Sequence, residues 1–216
     1  MLEPTPQSIA NQLVIKRLGL VPYSDTIEQM QNFTAARDKH TPDEIWLLEH
    51  PAVFTQGQAG KQEHILAAGN IPVIQSDRGG QVTYHGPGQL VCYLLMDIKR
   101  KNLGIRDLVT GIERSIIDLL SGFEIEASAR REAPGVYVQN SKVAALGLRI
   151  RKGCSYHGLS LNVAMDLEPF SRINPCGYAG LEVTDLCQLG VHEDFSSIAD
   201  KLVKQLLEIF GYDSPR

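Results

Sequence analysis

The fold class of this 216-residue chain follows most directly from the stretch Gly135-Val-Tyr-Val-Gln-Asn-Ser-Lys-Val-Ala-Ala-Leu-Gly-Leu-Arg-Ile-Arg-Lys-Gly-Cys-Ser-Tyr-His-Gly-Leu-Ser-Leu-Asn-Val163. Its apolar and β-branched residues predict three strands, at Gly135–Val138, Lys142–Ile150 and Tyr156–Val163. The link Arg151-Lys-Gly153 suits a hairpin turn between the last two strands. The stretch therefore predicts an antiparallel meander.

Further strands and helices are predicted on either side of this meander. The additional predicted strands are Leu13–Leu20, Glu44–Glu49, Ile71–Gln75 and Leu90–Met96, with a polar loop containing Gly57 and Gly60 before Ile71. The predicted helices are Thr26–Arg37, which opens near Ser24 or Asp25, Arg106–Ser121, followed by Gly122 as a cap, and Ser196–Phe210, followed by Gly211. Because strands and helices do not alternate regularly, we expect an α+β fold with a mixed, largely antiparallel sheet flanked by helices.

The composition is that of an ordinary globular enzyme or binding domain. The hydrophobic content is 43% and the net charge is −4, which argues against a general polyanion binder such as a nucleic-acid-binding protein. We expect a single domain over residues 1–216, with residues 1–12 as a loose arm. The longest apolar run, Leu90–Met96, is too short to span a bilayer. No secretory signal is recognisable, so we expect four reduced cysteines and a cytoplasmic location.

The segment Arg78-Gly-Gly-Gln-Val-Thr-Tyr-His-Gly-Pro-Gly-Gln89 predicts a ligand-binding loop. Its four glycines let the backbone approach a ligand closely, and the apolar strand that follows would hold the loop rigid. A tight turn between two strands is the plainer interpretation. The density of Arg, His, Tyr and Thr among the glycines favours ligand binding.

Cys176 lies in Asn174-Pro-Cys-Gly-Tyr178, a turn sequence. Pro175 restricts the backbone before the cysteine and Gly177 frees it afterwards, whereas Cys92 and Cys154 lie in or beside apolar strands and Cys187 has no special context. A free thiol is only about 3% ionised at pH 7, so a nucleophilic cysteine needs a base or cation nearby. Lys142, His85 and His157 are the candidates. Sequence spacing alone does not show which of them lies beside Cys176.

Metal and phosphate motifs are weak or missing in this sequence. Cys154 and His157 have a spacing found in zinc sites, but no second pair completes four ligands. Neither a P-loop nor a Gly-x-Gly-x-x-Gly motif after a strand occurs. We therefore expect no metal and no cofactor.

Four motifs taken together resemble the lipoyl(octanoyl) transferase family. They are Arg78 to Leu90, Lys142 with Ala145-Leu-Gly147, His157-Gly-Leu-Ser-Leu-Asn162, and Asn174-Pro-Cys-Gly177, in the order of the family. The resemblance runs from about Leu13 to Phe210. It implies the fold of the biotin and lipoate protein ligases. It also implies transfer of an octanoyl group from acyl carrier protein to a lysine of a lipoyl domain.

The resemblance also implies the roles of individual residues. Cys176 matches the family's nucleophile, and Lys142 matches the lysine that lowers the pKa of that thiol. The implied substrate-binding residues are Arg78, Gly79, Gly80, Gln81, Val82, Thr83, Tyr84, His85, Ala145, Leu146, Gly147, Gly158, Leu159 and Ser160. The implied donor is octanoyl-acyl carrier protein. The implied acceptors are lipoyl domains of 2-oxoacid dehydrogenases and the glycine cleavage H protein, and we expect a monomer without nucleic-acid or membrane partners.

Two other functions are compatible with the same fold. An ATP-dependent lipoate or biotin ligase makes an acyl-adenylate and needs no nucleophilic cysteine, so Cys176 in its turn argues against it. A non-catalytic module that only binds lipoyl domains or acyl carrier protein would need neither Cys176 nor Lys142. If an acidic carrier protein is the donor, we expect some of the basic residues to flank the entrance to the site. The densest basic residues are Arg130, Arg131, Arg149, Arg151 and Lys152.

Overall fold

A computed structural model describes residues 12–213. Of Cys176 it describes the backbone only. The strands are β1 Leu13–Leu20, β2 Asp43–Glu49, β3 Val53–Gln56, β4 Val73–Gln75, β5 Val82–His85, β6 Gln89–Leu95, β7 Ser128–Ala129, β8 Gly135–Val138, β9 Ser141–Arg151 and β10 Cys154–Asn162. The helices are α1 Tyr23–Ala36, α2 Ile105–Ser121 and α3 Phe195–Phe210. Short 3₁₀ turns occupy Gln62–His64, Glu168–Arg172 and Pro175–Gly177.

Within the described residues, seven strands form the main sheet in the order β1-β2-β6-β10-β9-β8-β7. The β1–β2 pair is parallel and the other pairs are antiparallel. A second sheet has the order β4-β3-β5, with β3 parallel to β4 and antiparallel to β5. The predicted α+β class with a mixed, largely antiparallel sheet is confirmed.

The two faces of the main sheet are covered differently. On one face, α2 and α3 pack their apolar stripes against the sheet through residues such as Ile112, Ile116, Leu202 and Leu206, all fully buried. On the other face, Met30 of α1 packs on residues of β2, β6 and β10. The small sheet has an apolar cluster of its own, around Phe54. The cleft described below is lined by both sheets, by α1 and by the segment between β4 and β5.

The predicted meander is confirmed as β8, β9 and β10. Arg151 pairs with Cys154, so Lys152 and Gly153 form a two-residue hairpin loop. Both have positive φ, 53° and 83°, as the tight turns that match strand twist require. This hairpin fixes the register of β9 against β10 and thereby decides which residues of the two strands stand side by side.

Several predicted boundaries shift in the structure. Helix α1 begins at Tyr23, before the predicted Ser24 or Asp25, and Arg37 lies just past its end rather than inside it. The earlier start has a tertiary cause, because the Tyr23 hydroxyl lies 2.7 Å from Ser76 Oγ in the interior. The predicted loose arm at 1–12 falls outside the described residues except for Gln12.

Three strands are missing from the sequence prediction, namely β3, β5 and the exposed two-residue β7. Strand β3, Val53–Gln56, is entirely buried although half of it is polar, and it lies where a polar loop is predicted. Strand β5, Val82–His85, lies inside the predicted ligand loop, which is therefore part loop and part strand. Strands β3 and β5 are both four residues long, and their burial comes from pairing with each other rather than from an apolar pattern.

Candidate active site

A β-bulge at Val143 determines which way Lys142 points. Val136 of β8 pairs with Ala144, and the next residue, Tyr137, pairs with Lys142, so Val143 is an extra residue on β9. Val143 and Ala144 both pack in the core under α2 and α3. Strict alternation would place Lys142 on that core face too. The bulge instead turns Lys142 to the opposite face, which it shares with Ala145 and Gly147.

On that opposite face, small residues from neighbouring strands stand in register. Ala145 of β9 pairs with Ser160 of β10, and Gly147 pairs with Gly158 in the next row. Strand β6 completes the rows, with Val91 beside Ser160 and Tyr93 beside Gly158. Because four of these six residues are Gly, Ala or Ser, the rows leave a groove above the sheet. We call these two rows the groove floor.

Gly158 has to be glycine for a steric reason. A Cβ at this position would lie 2.1 Å from the carbonyl oxygen of Cys92 on the neighbouring strand. The preceding residue, His157, has a φ of +60°, which is unusual for a non-glycine residue and costs backbone energy. The backbone of β10 is thus distorted where it passes the groove.

The Arg78 loop forms the roof of the groove. The Gly79 N–H donates to Leu148 O at 2.9 Å, which attaches the loop to β9. The buried Arg78 guanidinium donates to Thr55 O at 2.6 Å, to Thr55 Oγ1 and to Gly79 O, which ties the loop to β3. A Cβ at Gly147 would lie 3.1 Å from Arg78 Cδ, so the loop approaches the floor closely there. The Arg78 side chain therefore holds the loop in place through these hydrogen bonds.

The structure brings most of the predicted substrate-binding residues around one cleft between this roof and floor. Of the fourteen, all of which are described, twelve line it; these are Arg78, Gly80, Gln81, Val82, Thr83, His85, Ala145, Leu146, Gly147, Gly158, Leu159 and Ser160. Gly79 lies in the roof without lining the cleft. The Tyr84 ring turns away and packs against Phe54 and Phe170, since alternate residues of β5 face opposite sides. The position of Tyr84 is that of a core residue.

Lys142 lies beside the cleft rather than in its lining. It lines a small cavity together with Pro175, and this cavity shares Thr83, Ala145 and Ser160 with the cleft. The Lys142 side chain is buried, and its Nζ donates to Pro134 O at 3.2 Å and stands 5.2 Å from the centre of the Tyr137 ring. Its backbone is held between Glu182 O and Thr184 N. The structure thus places a buried lysine beside the turn that carries Cys176.

The cleft contains two buried histidines, and burial disfavours the positively charged form of both rings. Burial lowers the pKa of His85 well below its ordinary value. Burial also lowers the pKa of His157, and this effect outweighs the hydrogen bond from His157 Nε2 to Asp77 Oδ1 at 2.8 Å, which raises it. Both imidazoles are therefore neutral at pH 7.

A relay of side-chain amides fixes the tautomer of His85. Asn162 Nδ2 donates to the backbone carbonyl of Thr184, so Asn162 Oδ1 must accept from Gln89 Nε2 at 2.9 Å. Gln89 Oε1 is then the acceptor for His85 Nδ1 at 2.7 Å, and the proton of the neutral ring is on Nδ1. His85 Nε2 is left as an acceptor. The relay also links His85 to Thr184, whose N–H donates to Lys142 O.

Asp77 organises the opposite side of the cleft. Besides His157, it accepts hydrogen bonds from Tyr156 Oη at 2.5 Å and Gln31 Nε2 at 3.1 Å. Burial raises the pKa of Asp77, but these hydrogen bonds outweigh it and hold the pKa below the usual range. Asp77 is thus an ionised anchor for the His157 ring. A sequence pattern gives no sign of this role, because Asp77 simply precedes the glycine-rich loop.

The other three cysteines differ in accessibility. Cys92 is fully buried in β6, and burial raises the pKa of its thiol. Burial likewise raises the pKa of the Cys154 thiol. Cys187 is exposed, with its Sγ 3.6 Å from His192 Nδ1. Cys176 lies in the middle of the 3₁₀ turn Pro175–Gly177, in agreement with the predicted turn. The backbone N–H of Gly177 donates within this turn, to Asn174 O.

Among the described side chains, no group of three or more His, Cys, Asp or Glu residues could hold a metal ion. Within residues 12–213, no helix is both long and apolar enough to cross a membrane.

The cleft contains residues that the sequence does not single out. Tyr23 comes from the start of α1, and Val91 and Tyr93 come from β6. Their contribution depends on which face of a strand or helix meets the loop. Val91 and Tyr93 are two positions apart and therefore share a face of β6. Because Leu90–Met96 is apolar throughout, the sequence does not distinguish that face from the other one.

The chain matches a family model described as the lipoyl protein ligase A/B catalytic domain, over residues 22–207. It is 58% identical over 203 residues to an octanoyltransferase of Vibrio vulnificus (strain CMCP6), covering 94% of this chain and 93% of that protein. It is 61% identical over 198 residues to an octanoyltransferase of Stutzerimonas stutzeri (strain A1501), covering 92% and 90%.

Solved structures support the same fold. A putative lipoate protein ligase from T. acidophilum with bound lipoic acid superimposes with a TM-score of 0.78 at 13% identity, covering 93% of this chain and 86% of that one. A biotin protein ligase from Aquifex aeolicus in complex with biotin and ATP gives a TM-score of 0.58 at 14% identity, covering 92% and 70%. The predicted ligase-type fold is confirmed, and the chain belongs to the lipoyl protein ligase A/B catalytic domain family.

Proposed function

We propose that this chain is an octanoyltransferase that moves an octanoyl group from acyl carrier protein to a lysine of a lipoyl domain, through a thioester on Cys176. The observation that carries the proposal is the bulge at Val143, which turns the buried Lys142 into a cavity that adjoins the cleft of the glycine-rich loop and contains Pro175 of the Cys176 turn. The near-full-length identity to octanoyltransferases supports the same reaction.

In the proposed first half-reaction, the Cys176 thiolate attacks the thioester carbonyl of the donor. The carbon–sulfur bond to the phosphopantetheine thiol breaks, and that thiol leaves with a proton from Lys142. In the second half-reaction, the amine of the acceptor lysine attacks the acyl carbon, and neutral Lys142 takes the proton from that amine. The bond between the acyl carbon and Cys176 Sγ breaks, and Cys176 leaves as the thiolate, so the enzyme returns to its starting state. One group thus acts first as acid and then as base. Because the donor is already a thioester, no ATP is needed.

The cleft suits an acyl chain in the orientation that this mechanism requires. The reacting carbonyl would lie at the Lys142 end, and the alkyl chain would extend over the groove floor. Burial of apolar surface contributes about 0.8 kcal/mol per methylene. The Gly79 N–H already donates to Leu148 O, and the Gly177 N–H to Asn174 O. Stabilisation of the oxyanion therefore requires other donors or a rearrangement of these two.

The proposal is tested by mass measurement of the intact protein after incubation with octanoyl-acyl carrier protein in the absence of ATP. A gain of one octanoyl group is the expected result. An ATP-dependent ligase, which the fold relatives include, would require free acid and ATP and would stay unmodified. A non-catalytic binding module would gain no mass with or without ATP.

The role of Lys142 is tested by its replacement with alanine. We expect octanoyl transfer to fall by about 10²–10⁴-fold, the usual loss when a general acid–base is removed. We also expect the pKa of the Cys176 thiol to rise, and each unit corresponds to about 1.4 kcal/mol. The measurement is the pH dependence of Cys176 alkylation by iodoacetamide. An unchanged alkylation profile would show that the amine has no influence on the thiol.

Specific partners, the monomeric state and a cytoplasmic location remain predictions. Among the basic residues that could contact the carrier protein, the distances from Lys142 favour Arg130. Arg149 and Arg151 lie seven and nine positions from Lys142 along β9, about 20–30 Å away at the rise of a strand. Arg130 is nearer, because its guanidinium lies 4.2 Å from the centre of the Tyr137 ring, which also contacts Lys142. Arg130 borders a surface groove with Tyr178, two residues beyond Cys176.

We therefore expect Arg130→Glu to raise the KM for octanoyl-acyl carrier protein about fivefold to tenfold at low salt, because it reverses a charge near the docking entrance. Turnover of a small octanoyl thioester should change little. Arg151→Glu, at the far end of β9, is the matched control and should leave both donors unaffected. Equal losses with both donors in Arg130→Glu would assign this arginine to the fold rather than to docking.

A further inference from the structure

The end of the cleft that lies away from Lys142 is closed by aromatic rings. Tyr23, Tyr93 and His157 line the cleft but do not line the cavity that contains Lys142. Tyr93 stands in the second row of the groove floor, beside Gly158. Its ring centroid lies 5.8 Å from that of His157. The Tyr23 ring stacks on His85 at 5.8 Å from the other side of the cleft.

Each of these rings has a hydrogen-bond partner at its polar tip, and the partners of Tyr23 and Tyr93 are buried. Tyr23 Oη lies 2.7 Å from Ser76 Oγ, and His157 Nε2 donates to Asp77. Tyr93 Oη lies 2.8 Å from His50 Nε2. His50 Nδ1 must donate to Val21 O, and burial lowers the pKa of His50 to about 4, so Nε2 is bare and Tyr93 is the donor. A ring held at both its base and its tip cannot move aside for a longer ligand.

The distance between the two ends matches a medium-length acyl chain. Ser160 lines both the cleft and the cavity of Lys142, whereas His157 lines only the cleft. The two residues are three positions apart on β10, about 10 Å at a rise of about 3.3 Å per residue. An extended eight-carbon chain has a length of the same order. Four of the six residues of the groove floor beneath this span are small, namely Ala145, Gly147, Gly158 and Ser160, and the larger Val91 and Tyr93 stand on its β6 side.

We propose that the rings of Tyr23 and Tyr93 form the end wall of the acyl groove and select chains of about eight carbons by excluding longer ones. The proposal rests on the proposed function, because it takes the acyl carbonyl to lie at the Lys142 end. Two points go beyond the proposed function. The selection of chain length is steric, and it depends on two tyrosines from α1 and β6 rather than on the glycine-rich loop.

The test is a competition among acyl carrier proteins that carry six, eight, ten and twelve carbons, with acyl-enzyme formation read by intact mass. Wild-type protein should be acylated mainly by the eight-carbon donor, with a sharp decrease at ten. In Tyr23→Ala, the ratio of ten-carbon to eight-carbon acylation should rise at least tenfold. Tyr93→Leu removes the other ring and should shift the ratio in the same direction.

Tyr23→Phe keeps the ring but removes the hydroxyl that holds it against Ser76, so its ratio of ten-carbon to eight-carbon acylation should lie between those of the wild type and Tyr23→Ala. Cooperative thermal unfolding identifies the variants that are folded. Folded Tyr23→Ala and Tyr93→Leu proteins with the wild-type profile would overturn the proposal. Equal acylation of wild-type protein by all four donors would overturn it as well, without affecting the proposed function. The absence of acylation by any donor would instead contradict the proposed function.

Discussion

Replacement of Cys176 by serine is expected to abolish octanoyl transfer, with a loss of about a thousandfold or more. An alkoxide is much harder to generate at neutral pH than a thiolate, so the hydroxyl cannot replace the thiol as nucleophile. The measurement is transfer to a lipoyl domain by purified, folded protein, together with the intact mass after incubation with octanoyl-acyl carrier protein.

The other cysteines provide the controls for this experiment. Neither Cys187 nor Cys92 lines the cleft or the cavity of Lys142, and Cys92 is fully buried with a raised thiol pKa. Cys187→Ser should retain nearly all transfer. Cys92→Ser should retain much of it, although a hydroxyl in the core lowers stability. Near-normal transfer by Cys176→Ser would rule out the thioester mechanism.

Asp43→Ala is expected to lower the free energy of unfolding by about 3–5 kcal/mol, the loss typical of a broken buried ion pair. The Asp43 side chain is completely buried, and its Oδ1 accepts from Arg37 Nη2 at 2.5 Å and Arg100 Nη2 at 2.7 Å. Its Oδ2 accepts from the Tyr212 hydroxyl at 2.6 Å. Removing the carboxylate leaves two largely buried guanidinium groups without their counter-ion.

The loss should be measured by urea unfolding, because such a large change is a substantial fraction of the 5–15 kcal/mol typical of folded domains. Asp200→Ala is the matched control: Asp200 pairs with Arg17 on the surface, with both side chains at least half exposed. We expect that variant to lose less than about 1 kcal/mol. Comparable losses in the two variants would show that the buried network contributes no more than a surface pair.

The sheet and helices could be predicted from the sequence because their signals are local. Strand β1 has the predicted bounds, and α2 and α3 each begin one residue earlier than predicted. The missing strand β3 has two polar residues out of four, and Thr55 is buried because the Arg78 guanidinium hydrogen-bonds to it. A partner distant in sequence determines that burial, so no local pattern could reveal it.

The candidate site likewise contains residues that the sequence reveals and residues that it does not. The glycine-rich loop and the pair Lys142 and Cys176 could be selected from motifs, since each carries an unusual combination of residues. The wall residues Tyr23 and Tyr93 could not be selected from the sequence, because a tyrosine at the start of a helix or in an apolar strand is usually a core residue. Tyr84 shows the reverse case. It lies within the motif, but the alternation of β5 directs its ring into the small apolar cluster.

The bulge at Val143 means that the location of the amine depends on a count of residues. Lys142 and Gly147 are five positions apart, an odd number, so without the bulge the amine would face the apolar core under α2 and α3. A chain that lacked Val143 would have an even spacing, and plain alternation would then keep the amine on the groove face. In this chain, therefore, a deletion of the extra residue is less harmful to the position of the amine than a change that removes the bulge and keeps the number of residues.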